Sequence, residues 1–296
     1  MDPRPSGSRL NEQVTEPRVR GQGLADGSHQ VRLAWLRPAT PSGLRAALSE
    51  LGLTRPRPVL ILVGGAANLD IRVKEALIPV FTSLAQALDH LGALVIDGGT
   101  PFGVMELMGR ARRRLAATFP LLGMAPEGRI ALDDQRDDAP DPPASQDAMK
   151  VPLDPHHSHF LLVPGDRWGD ESPWMQAAAE AVCAGQGSLM LVAGGGKVTR
   201  LDLVHRLRAG GPVLLLAGTG GTADDLAIWY RAGRPPLPGL ESGSGRGRKS
   251  EPDLVATPDQ IPDLDLIGLD PALLELLDLA QAATRLPDIL ARTFAP

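Results

Sequence analysis

A chain of 296 residues with 43% hydrophobic residues is long and apolar enough to bury a sizeable core, and its formal charge of −5 argues against general attraction to nucleic acid or anionic lipid. Its one cysteine excludes an internal disulfide framework, and no apolar run approaches the roughly 20 residues that cross a bilayer. The first residues, "MDPRPSGSRLNEQ", hold no apolar stretch of the signal-peptide kind, so a cytoplasmic location without membrane insertion is expected. With only 3% aromatic residues but 33 Gly and 28 Pro, the core must be built from Leu, Val, Ala and Ile, joined by many tight connections.

Residues 1–28 have no hydrophobic period and are expected to form a disordered arm. A short apolar strand, "VRLAWL", follows, and then a helix after Thr40-Pro41-Ser42, with the serine as its cap. "PVLILVGGA" is an uninterrupted apolar run of the kind buried on both faces of a parallel sheet. The same grammar recurs, giving strands at Val59–Val63, Ala93–Ile96, Leu121–Met124, Phe160–Val163, Leu189–Val192 and Val213–Leu216. Helical spacing fills the intervals near Val73–Leu91, Val104–Ala117, Pro173–Ala184, Thr199–Ala209 and Thr222–Ala232. This alternation predicts an α/β, Rossmann-like, doubly wound and mostly parallel sheet in one domain over 29–233. An acidic, Pro-rich insertion at 133–150 separates its halves, and 234–260 reads as a linker. The segment "DPALLELLDLAQAATRLPDILARTF" within the 261–296 tail has helical spacing, with Asp270 as a cap and Pro287 expected to break it into two helices.

Four strands end in glycine clusters: Gly64-Gly65, Gly98-Gly99 with Gly103, Gly194-Gly195-Gly196, and Gly218-Thr219-Gly220. In an open parallel sheet the strand carboxyl ends share one edge, where ligands bind. Glycines there admit a close backbone approach, and the helix N-termini beyond them offer amides to an anionic group such as phosphate. Any single turn of this kind has an ordinary steric explanation as well. "GTGGTA" matches the dinucleotide fingerprint only formally, because it follows the last strand of the pattern, and "AGGGKV" lacks the spacing and the Ser or Thr of a phosphate-binding P-loop.

Taken in order, "VGGAANLD", "IDGGTPFGVMELMG", "LLGMAPEG", "LDPHHSHFLLVPG", "LVAGGGKVTRLDLV" and "PVLLLAGTGGTADDLA" resemble the SLOG superfamily, shared by cytokinin-activating LOG proteins and DprA. The resemblance is closest to its TRPM-type branch, the cytosolic N-terminal region of TRPM channels and its prokaryotic relatives, and covers residues 56–232. It implies a pocket for a nucleotide-derived ligand, ADP-ribose or another NAD derivative, and no permanently bound cofactor. Position by position, it places Gly64, Gly65, Asn68, Gly98, Gly99, Thr100, Gly103, Gly194, Gly195, Gly218 and Gly220 at the pocket mouth; Gly196, Lys197 and Thr219, in the same turns, are expected to join them, Lys197 replacing the family's usual glycine. Two arginines of the ADP-ribose-binding relatives are replaced by Met175 and Gly221, and Lys197 with Arg200 would restore positive charge. The glutamate that LOG hydrolases use in their third turn is absent, Arg200 and Leu201 standing in that region. The expected role is a binding or sensor module whose partner is the small molecule, alongside a second copy or an effector protein. The alternative is a hydrolase cleaving an N-glycosidic or phosphoester bond. Replacing Gly99 by Val would then block ligand and spare the fold.

The remaining polar residues have competing explanations. His156, His157 and His159 suggest a metal, but neighbouring residues entering a strand point to opposite faces, and hydrogen bonds to the turn are the simpler reading. Trp168 would either stack on a base or cover its loop. Asp97 suits a helix cap or a ribose contact. Asp224 and Asp225 suit the dipole of their helix. Glu171 is a base without an evident partner acid, and Cys183 is expected to be a buried thiol.

Overall fold

A computed structural model describes residues 31–66, 69–132, 150–233 and 270–295. The arm, Asn68, most of the acidic insertion, the linker and the first part of the tail lie outside the described residues. Strands β1 (Arg32–Trp35), β2 (Val59–Gly64), β3 (Leu94–Asp97), β4 (Leu121–Pro126), β5 (His159–Val163), β6 (Ser188–Ala193), β7 (Val213–Ala217) and β8 (Leu274–Asp278) form one parallel sheet. Its spatial order is β1-β5-β4-β3-β2-β6-β7-β8. The helices are α1 (Pro41–Glu50), α2 (Ile71–Leu91), α3 (Gly103–Arg114), α4 (Ser172–Cys183), α5 (Lys197–Arg208), α6 (Gly221–Arg231) and α7 (Leu279–Thr293).

Strand side chains alternate between the two faces, and both faces are covered, which explains the apolar runs in the sequence. Val59, Ile61 and Val63 share a core with Leu44 of α1, Val182 of α4, Leu203 of α5 and Leu226 of α6. Leu60 and Leu62 share the opposite core with Phe81 of α2, Met108 of α3 and Leu286 of α7. From β2 the chain steps outward through α2 and α3 to β4, then returns over the other face through α4 to place β6 on the far side of β2. The order in which strands are laid down therefore reverses between β2 and β6, and in a doubly wound sheet the crevice opens at that switch point.

Local chemistry sets the element ends. Asp70 starts α2 by accepting the amides of Arg72 and Val73 at 2.8 and 3.4 Å, and Gly92 ends it at φ 61°. Helix α1 is capped by Thr40, whose Oγ1 accepts the Gly43 amide at 3.1 Å, and not by Ser42 as the sequence suggested. Pro41 occupies the first turn, where its missing N–H costs nothing.

The C-terminal segment departs most from the sequence reading. Leu274–Asp278 is a strand, in register from Val213↔Leu274 to Ala217↔Asp278, and not the start of a helix. Five residues with three leucines fit either period, and the pairing edge offered by β7 decides between them. Helix α7 also runs through Pro287 unbroken. The proline cannot bond the carbonyl of Ala283, four residues back, and the Ser83 hydroxyl of α2 donates to that oxygen at 2.7 Å instead.

Candidate functional site

The four glycine turns follow β3, β2, β6 and β7, which are consecutive in the sheet, so they line one continuous stretch of its carboxyl edge. They also touch. The Gly65 amide donates to Ala193 O at 2.8 Å, and its carbonyl accepts from Val104 at 3.0 Å. Gly194 N donates to Thr219 Oγ1 at 2.7 Å, while Thr222 N and Ala223 N donate to the carbonyls of Gly195 and Gly194, each at 3.1 Å.

This knitting shows which glycines serve packing. A Cβ on Gly64 would collide with Ala193 O, and one on Gly103 with Gly65 O. Gly99, at φ 68°, would bring a Cβ within 2.8 Å of Gly123 Cα and 3.1 Å of the Phe160 ring, so Gly99→Val would disturb the fold as well as any ligand, contrary to expectation. Thr100 is buried with Oγ1 on Met105, and Thr219 is buried with Oγ1 on Leu216 O. Gly196 and Gly220 are different: a Cβ on either meets nothing within 4 Å.

The helix N-termini at this rim are unequally satisfied. At α6, Asp224 accepts Gly218 N at 2.6 Å and Gly220 N at 3.0 Å, and the carbonyls of Gly195 and Gly194 accept the amides of Thr222 and Ala223. At α3, Gly65 O takes Val104 N, and the first turn carries Glu106. Helix α5 has no side-chain cap and no acidic residue in its first turn, and it begins with the exposed Lys197. The amides of Gly196, Lys197 and Val198 have no hydrogen-bond partner among the described residues. A cation at a helix N-terminus opposes the dipole by about 0.3–1 kcal/mol, a cost that an anion placed there would reverse. Arg200 does not share this role, because its guanidinium donates to Asp225 at 3.0 Å and approaches Thr222 Oγ1 at 3.4 Å.

Beneath the Gly98-Gly99 turn lies a buried charge cluster. His157 Nε2 is 2.8 Å from Asp97 Oδ1, and its Nδ1 is 3.2 Å from Asp154 Oδ1, with the Phe160 ring stacked at 5.4 Å. Burial alone would lower the pKa of His157, but the two carboxylates outweigh it and push it up to about 9. Asp97 Oδ1 also accepts Gly99 N at 2.7 Å, so Asp97 is neither a cap for α3 nor a free ribose acceptor. Asp154 N donates to Gly99 O at 2.9 Å, clamping the turn from its other side.

His159, by contrast, is pushed down to about 4, first by burial and then by Arg32, Arg112 and Arg57. It pairs with Ser158 Oγ at 2.8 Å, as the turn-stabilising reading anticipated. Among the described residues no group of three His, Cys, Asp or Glu is arranged to hold a metal.

The α4 side of the rim holds two carboxyls. Glu171 is pushed up to about 7, chiefly by burial and further by the charges of Asp202 and Asp170, while the Gly169 amide, 2.8 Å from Oε2, opposes the shift. Asp202, on α5, is likewise pushed up to about 7 by burial. Its charge is one of those that raise the Glu171 carboxyl, a neighbour that sequence reasoning did not find. Trp168 lies beyond β5, three places from β2 in the sheet, with the Arg129 guanidinium 5.4 Å from its ring centre. That cation covers one face of the ring that a base was expected to use. Met175 is packed in the core, and Cys183 is only half-buried at the end of α4.

The model of the family described as "SLOG in TRPM, prokaryote" matches residues 57–244, more than half of the chain. The chain belongs to this SLOG family. The match spans all four glycine turns and both carboxyls, and it stops short of β8 and α7. No curated protein matches the chain. Among solved structures, the X-ray structure of TM1055, a structural genomics target, is similar at 24% identity and a TM-score of 0.40, covering 58% of this SLOG chain and 81% of its own.

Proposed function

We propose that this SLOG domain binds a nucleotide-derived ligand in the crevice between β2 and β6. In this reading a phosphate sits on the amides of Gly196, Lys197 and Val198 with the Lys197 ammonium beside it. The observation that carries the proposal is the uncapped, cation-bearing N-terminus of α5 at the switch point, flanked by α2, which Asp70 caps, and by α6, where Asp224 holds two amides of the turn. Membership of SLOG supports a nucleotide-type ligand, and ADP-ribose, NAD and AMP are the compounds to titrate. The role proposed is recognition of a signal, reported to an effector or a second copy.

Calorimetric titration of the full chain tests this. Lys197→Glu should weaken binding by about tenfold or more, a loss of about 1.4 kcal/mol. Gly196→Val should weaken it too while leaving the thermal midpoint near wild type, since the added side chain enters open space. Unchanged affinity in both variants would place the ligand elsewhere.

A second reading, hydrolysis of the bound nucleotide, is favoured by one observation. Glu171 and Asp202 are both held at about 7, where a carboxyl can give or take a proton at neutral pH. Chromatography of each ligand after incubation separates the two readings: released base or ribose phosphate supports turnover, and intact ligand supports recognition.

A further inference from the structure

The rim is built to refuse a second phosphate next to the first. Asp224 spans its turn with both carboxylate oxygens, Oδ1 on Gly218 N at 2.6 Å and Oδ2 on Gly220 N at 3.0 Å. These amides belong to the turn that joins β7 to α6, beside the β6–α5 turn. A carboxylate holding two glycine amides at a helix N-terminus has the charge and the donor set of a bound phosphate. Two more amides and a cation on this side are engaged within the protein. Thr222 N and Ala223 N go to carbonyls of Gly195 and Gly194, and Arg200 is drawn to Asp225.

On the opposite side, toward α3, the turn after β2 packs peptide oxygens against the start of α3. The carbonyls of Gly65 and Ala66 crowd Gly103, and Gly65 O takes the Val104 amide. A diphosphate laid across the switch point would set its second phosphate against a fixed carboxylate on one flank or against peptide oxygens on the other. Like charges within hydrogen-bonding range repel, and the half-buried Asp224 cannot swing away without releasing both amides.

Resting on the assignment of the crevice as a nucleotide site, we propose that the ligand carries a single phosphate, and that Asp224 is the specificity-determining residue that turns away pyrophosphate-bridged compounds such as ADP-ribose. Asp224 acts by occupying the second site with the protein's own anion. The ligand class is then a nucleoside monophosphate or a similar sugar monophosphate.

The test is calorimetry of the full chain with AMP and ADP-ribose, repeated with inorganic phosphate and pyrophosphate as probes that carry no base. Wild type should bind AMP at least tenfold tighter than ADP-ribose, and phosphate tighter than pyrophosphate. Asp224→Ala frees two amides and removes the charge, and should narrow each ratio at least tenfold by strengthening the diphosphate partner. Asp224→Asn, which keeps the side-chain shape, should narrow it in the same direction and serves if the alanine variant folds poorly. Equal or tighter binding of ADP-ribose by wild type, or an unchanged ratio in the asparagine variant, would overturn the role of Asp224 while leaving the crevice as the site. Failure of all four probes to bind wild type would overturn the crevice assignment itself, and this inference with it.

Discussion

At the scale of single residues, the consequential groups are polar ones whose meaning depends on distant neighbours. His157 is one of three histidines in "DPHHSHF", and nothing local separates it from His156 or His159. The fold puts His157 between Asp97, sixty positions away, and Asp154, whereas His159 lies among arginines. The two therefore shift in opposite directions, and stability should depend on pH at both ends. His157, raised to about 9, contributes stability that is complete below its ordinary value of 6.5 and is lost as pH rises through about 9. Glu171 and Asp202, each raised to about 7, also favour the fold at lower pH and withdraw that support as pH climbs from about 4 through 7. His159, lowered to about 4, acts in the reverse sense, its contribution present above 6.5 and lost as pH falls toward 4. Since the two carboxyls outweigh His159, these groups together should make urea midpoints fall as pH rises above about 4, and His157 should extend that fall toward pH 9. In His157→Gln the fall between pH 7 and 10 should be shallower, and an identical alkaline slope would show that His157 is not charged in the folded state.

At the scale of elements, strands buried on both faces announced themselves as apolar runs, and helices between them as three-to-four-residue spacing. The expected bounds of β2, β5, β6 and β7 lie within one residue of those observed. Glycine clusters likewise located the turns, because a parallel topology leaves no other place for them. What remained illegible depended on pairing. The leucines of β8 gain their strand identity only from β7, and the continuity of α7 through Pro287 depends on a serine two hundred positions earlier. Ser83→Ala should leave the Ala283 carbonyl unpaired at the α2–α7 contact and cost about 1–2 kcal/mol. Chemical denaturation would show this, and a loss within a few tenths of zero would mean that another group satisfies the carbonyl. The division of labour among the glycines was illegible for the same reason. Sequence grouped Gly99, Gly103 and Gly196 together, yet the first two are locked against backbone and ring atoms, and the third faces open space.

At the scale of the whole molecule, one asymmetry organises the account. Parallel strands bring the starts of α2, α3, α5 and α6 to one edge, where the strand order reverses between β2 and β6; Asp70 caps α2, Asp224 and neighbouring carbonyls engage amides of α6, and Gly65 O accepts the Val104 amide of α3. The uncapped start of α5 is the feature that calls for an anion from outside. Membership of SLOG agrees with a nucleotide-type ligand at such an edge, and the chain's own departures set its character: Met175 is packed in the core, Gly221 lies against Gly195, and Arg200 turns toward α6. Lys197 puts a cation at the first position of α5. The measurement that bears most directly on this is an amide NMR titration of the full chain with AMP. The account predicts that the amide signals of Gly196, Lys197 and Val198 move first and furthest, with smaller shifts at Gly65 and Gly195. Shifts centred instead on the Trp168 loop, or on the groove between α2 and α3, would contradict it.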